Sequence, residues 1–126
     1  MDRLERQWPD VARALESLGA AQQEEVALRA AAIALGAVDQ PAPDGDEEAV
    51  TVEVGRLDVI AWGIQDDEAA SPDAYDTAFR RARAVNAFAL ARFGGRPADA
   101  IFEALHALEA LHALGAPADA GSVLGL

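Results

Sequence analysis

The chain contains no cysteine and no lysine. Without cysteine there are no disulfides, no thiolate nucleophile and no Cys-based zinc site. That absence suits a reducing compartment, and the cytoplasm is the expected location. Without lysine, all ten basic residues are arginine. Arginine-only usage together with abundant alanine points to a GC-rich bacterial genome. Aromatic residues make up only 6% of the chain. The 52% apolar content therefore rests mainly on Ala and Leu, which are strong helix formers.

Other signals are also missing. No run of about 18 apolar residues occurs, so no membrane-spanning helix is expected. The opening MDRLERQWPD is charged and lacks the apolar core of a signal peptide. The serines Ser17, Ser71 and Ser122 stand at a helix end, a cap and the tail, and no Gly-x-Ser-x-Gly elbow surrounds them. Neither an enzymatic activity nor a cofactor is expected.

Acid is what the chain has in excess. The net charge of −12 argues against binding nucleic acid through its phosphates. The charge is also unevenly placed. Residues 37–71 hold ten acids and one arginine, net −9, whereas 72–97 hold two acids and five arginines, net +3. A solvated acidic face partly neutralised by the neighbouring arginines is one reading. An acidic docking surface is the other, carried by Asp44, Asp46, Glu47, Glu48, Asp66, Asp67 and Glu68.

At 126 residues the chain is one domain's worth. Helical spacing predicts a first helix over 2–18 through Leu4, Trp8, Val11, Leu15 and Leu18. Pro9 interrupts it, which allows residues 2–8 to form a separate turn. A second helix is expected over 20–35. The stretch 37–48, AVDQPAPDGDEE, reads as an acidic Pro/Gly loop. It fails the calcium-loop pattern, because Ala49 and Gly55 stand where a glycine and a glutamate are needed.

Residues 50–54, VTVEV, alternate as a strand would. However, Val50, Val54, Leu57, Ala61 and Ile64 keep a four-three helical spacing, and no second strand is available as a partner. A helix is therefore expected over 49–68, irregular near Gly55 or Gly63. Ser71-Pro72-Asp73 starts another helix, ending at Gly94-Gly95. Pro97 opens the last, which Gly115 closes. The expected fold is all-α: a single-domain antiparallel bundle of four to five helices over 1–115. The tail, 116–126, is expected to be flexible or loosely docked.

Three groups of residues invite a chemical reading. EALHALEALHAL, residues 103–114, contains Glu-x-x-His twice, as helical di-metal proteins do. At about 100° per residue, Glu103, His106, Glu109 and His112 wind around the helix, and the two pairs point about 120° apart. They read better as a polar ridge than as a metal site, with His112 nearer the apolar edge than His106. Arg80, Arg81 and Arg83 could clamp an anion, or pair with Asp58, Asp66, Asp67 and Glu68 across a helical hairpin. Asn86 is expected to specify packing through a buried amide. Trp8, Trp62 and Tyr75 are expected to fill the core, with Trp8 as an interface anchor if exposed.

These readings converge on a small, acidic, non-enzymatic interaction protein of the immunity, antitoxin or accessory-regulator kind. Its partner would be a protein, basic if it meets the acidic 39–68 region, or a second copy if an apolar helix face is used. Neutralisation of all the 39–68 acids by the chain's own arginines, with no exposed apolar patch, would count against it.

Overall fold

The computed structural model describes residues 2–113, excluding the side chains of residues 2 and 109–113. The expected tail at 116–126 lies outside the described residues. The chain is all-helical, with six helices among those residues and no strand. They are α1 (Asp2–Gln7), α2 (Pro9–Glu16), α3 (Ala20–Ala37), α4 (Glu47–Gln65), α5 (Pro72–Arg92) and α6 (Pro97–Ala113).

The count exceeds the expected four or five because Pro9 divides the first helix. Proline has no N–H to give to the preceding turn, so the chain breaks at Trp8 and restarts with Pro9 in the first turn of α2. Leu4, Val11, Ala12 and Leu15 all stay buried across the break. Gln23 reinforces the join, its Nε2 donating to the carbonyls of Leu15 at 3.0 Å and Leu18 at 3.1 Å. These carbonyls lie at and just beyond the end of α2, where the helix ladder runs out; that of Leu15 also accepts from the Leu18 N–H at 3.0 Å.

The other helix starts follow their cap residues. Asp46 accepts from the Ala49 N–H at 3.0 Å, and Ser71 accepts from the Ala74 N–H at 3.2 Å. Gly45 just before α4 has φ +106°, and a Cβ there would lie 2.8 Å from the Ala49 Cβ, so only glycine fits that turn.

Helix α5 is the centre of the molecule, packing against α3, α4 and α6, while α3 also packs on α6. The core is alanine-rich: Ala27, Ala30, Ala31 and Ala34 of α3 face Ala82, Ala84, Val85 and Ala87 of α5 and Ala100, Ile101 and Ala104 of α6. Small side chains at these positions let the helix axes approach closely. Helix α4 sits at the edge, with α5 as its principal neighbour. The two run antiparallel, since Asp58 meets Arg83 while Glu47 lies beside Phe93. No helix is long and apolar enough to cross a membrane among the described residues.

Candidate functional site

Helix α4 resolves the ambiguity of VTVEV in favour of helix, and it is continuous through Gly55 and Gly63, without the irregular turn expected there. Val50, Leu57 and Ala61 are buried towards α5. The opposite face is also apolar. Val52 is 66% exposed, Val59 63%, Trp62 61% and Ile60 41%. Trp62 therefore does not fill the core as its residue type suggests. At about 100° per residue, Val52, Gly55, Val59 and Trp62 fall within about 80° of one another, roughly opposite the buried stripe. Ile60 borders them on one side. Large apolar residues on a protein surface are usually scattered singly, whereas Val52, Val59 and Trp62 share one helix face, with Arg56 between Val52 and Ile60.

The two glycines belong to this face. Neither has positive φ, and a Cβ added to either would meet nothing within 4 Å. Glycine inside a helix costs about 0.5–1 kcal/mol relative to alanine. Nothing within the described chain offsets that cost at Gly55 or Gly63.

Acids frame the apolar face at both ends. Asp44, Asp46, Glu47 and Glu48 precede or open α4, and Asp66, Asp67 and Glu68 follow it; all seven are exposed. Asp46 and Asp67 accept backbone hydrogen bonds from Ala49 and Ala69. None of the seven forms an ion pair with a described residue. Within α4, Glu53 pairs with Arg56 at 2.6 Å, and Asp58 pairs with Arg83 at 2.6 Å. The Arg56 hydrogen bonds hold the Glu53 carboxyl below its ordinary value. Beside α4, a groove lined by Thr51, Val54, Asn86, Leu90 and Phe93 follows its contact with α5. Asn86 is half-buried on the wall of that groove.

The arginine cluster does not converge on one point. Arg80 Nε donates to the Asp76 carbonyl, and Arg81 Nε donates to the Val38 carbonyl, both at 3.3 Å. Arg83 alone pairs across helices, with Asp58 of α4 and Glu103 of α6. The expected hairpin pairing therefore holds for Asp58, and Asp66, Asp67 and Glu68 take no part in it. Glu103 also receives Arg3 at 3.4 Å, and Arg3 reaches Asp99, which Arg96 contacts as well. The result is a chain of three carboxylates and three guanidinium groups linking α1, α4, α5, α6 and the turn before α6. Arg83 Nε is buried with no hydrogen-bond partner among the described residues. An unsatisfied buried donor costs about 1–3 kcal/mol, which offsets part of the gain from the pairs.

Glu103 is thus misread as one rung of a surface ridge: it is 5% exposed, the buried anion of this network. His106 is half-buried, and its Nε2 lies 3.2 Å from Gln7 Oε1. Its ring lies 4.5 Å from that of Phe102 and 5.8 Å from that of Trp8. Trp8 is accordingly half-buried, packed edge-on to Phe102, and it ties the α1–α2 break to α6. The side chains of Glu109 and His112 lie outside the described residues, and so does the comparison of His112 with His106. Among the described residues, no group of three or more His, Asp or Glu side chains is placed to hold a metal ion.

No protein-family model, no curated protein and no solved structure matches this chain.

Proposed function

We propose that this chain is a non-enzymatic interaction module that takes a protein partner on the outer face of α4. The observation that carries this reading is the exposure of Trp62, Val52 and Val59 on one face of a well-formed helix whose other face is already packed. Fully burying an exposed side chain of this kind is worth about 1.5–3 kcal/mol, and burial against a partner would recover the share that these partly exposed residues leave in water. Tryptophan is also among the residues that dominate interface energetics. None of the acids at the two ends of α4 is ion-paired with a described residue, which supports a docking role for them.

The test is site-specific cross-linking. A photoreactive benzoylphenylalanine replaces Val59, and in a control it replaces exposed Glu16 on α2. Illumination in cells of the source type is expected to give one discrete cross-linked species from position 59 and none from position 16. Identical diffuse products from both positions would sink the reading.

A further inference from the structure

We infer that the occupant of the α4 face is an amphipathic helix of a partner protein, carrying basic residues at both ends of its apolar stripe. This rests on the interaction reading above and specifies its partner.

The helical character comes from spacing. Val52, Gly55, Val59 and Trp62 stand three, four and three residues apart, the seam spacing by which one helix lies along another. Gly55 sits in the middle of the seam and Gly63 at its end, with open space over both. A missing side chain lowers the floor of the seam there, so a large residue of an incoming helix can seat between Val59 and Val52.

The basic character comes from the frame. Glu48 continues the seam four residues before Val52, and Asp66 continues it four residues after Trp62. Asp44, Asp46, Glu47, Asp67 and Glu68 crowd the same two ends, all exposed and none ion-paired with a described residue. Like-charge juxtaposition suppresses wrong partners, and complementary charge steers the right one. A second copy of this chain is a wrong partner by that criterion. In an antiparallel pairing that sets Val52 against Trp62, Glu48 of one copy meets Asp66 of the other. In a parallel pairing each acid meets itself. Either way two chains of net charge −12 are brought together. Arginine or lysine at both ends of a partner helix meets both acid groups instead.

The experiment uses the full chain and two synthetic helices. Both are alanine-based peptides of about 18 residues, roughly the length of α4, with leucine in the three-four-three spacing. One has arginine at both ends and the other has glutamate. Calorimetry at low salt is expected to show saturable binding of the arginine peptide and at least about tenfold weaker binding of the glutamate peptide. Val59→Asp and the double change Glu48→Arg with Asp66→Arg should each weaken the arginine peptide at least about tenfold, and the double change should improve the glutamate peptide. Gly55→Ala should weaken it too, by crowding the seam.

Equal binding of the two peptides would overturn the basic specification, as would absence of binding by both. A concentration-dependent dimer of the free chain, dissociated by Val59→Asp in sedimentation, would assign the face to a second copy and overturn the inference. In each of these cases a specific cross-link from position 59 would leave the interaction reading standing.

Discussion

Glu103→Gln removes the one anion that faces both Arg3 and Arg83. Glu103 is nearly buried, so the two guanidinium groups lose a partner that water cannot fully replace. Breaking a buried pair from one side costs about 3–5 kcal/mol; both arginines keep some solvent access, so about 2 kcal/mol is expected here. The measurement is chemical denaturation of the variant beside Asp10→Asn, which breaks the fully exposed pair with Arg13 and should change stability by under about 0.5 kcal/mol. Equal effects would show that the network adds nothing beyond surface pairing. Glu103 was not legible as buried from its own surroundings. The repeat EALHALEALHAL presents both glutamates alike, and the partners that select Glu103 are 20 and 100 residues away in sequence. Trp62 misleads in the opposite direction, since residue type alone places tryptophan inside.

Helix α4 was legible as a helix from one face and missed as a surface from the other. The buried side follows the predicted spacing at Val50, Leu57 and Ala61. The exposed seam at 52, 55, 59 and 62 is equally readable in sequence, but a central glycine hides it from a count of apolar residues. A helix apolar on two sides reads as one buried between two neighbours, and α4 has a principal neighbour on one side only. Gly55→Ala and Gly63→Ala separate folding from docking. Each adds a methyl group into open space within a regular helix, so each should stabilise the chain by about 0.4–1 kcal/mol. Thermal melts read this directly, and loss of stability in both would show that the helix needs the glycines for itself. A gain in stability with a loss of peptide affinity in Gly55→Ala is the combination that a purely structural glycine does not produce.

Across the molecule, charge is distributed by environment. Arg83 of α5 and Arg3 of α1 form a partly buried set of pairs with Asp58 and Glu103, screened only weakly by salt. The seven acids at the two ends of α4 form an exposed set with no such pairs among the described residues, and their repulsion is open to screening by salt. Raising ionic strength from about 0.02 M to about 0.3 M shortens the Debye length from roughly 20 Å to roughly 6 Å. The melting temperature is therefore expected to rise over that range. A fall would mean that surface pairing outweighs self-repulsion. The all-helical class was readable because Ala and Leu dominate, proline and cap residues mark the starts, and no strand has a partner. How the helices are layered was not, because an alanine-rich helix carries little contrast between its faces.

The edge position of α4 bears on how the molecule opens. Helix α5 is gripped by three neighbours, whereas α4 leans principally on α5 and is fastened in its middle by Asp58 to Arg83. The backbone amides of such an element exchange with solvent through partial openings that leave the α3–α5–α6 centre intact. A helix laid along the outer seam would close α4 between two neighbours and slow that exchange. Occupancy would then be recorded along the length of α4, including at amides on the side the partner never touches.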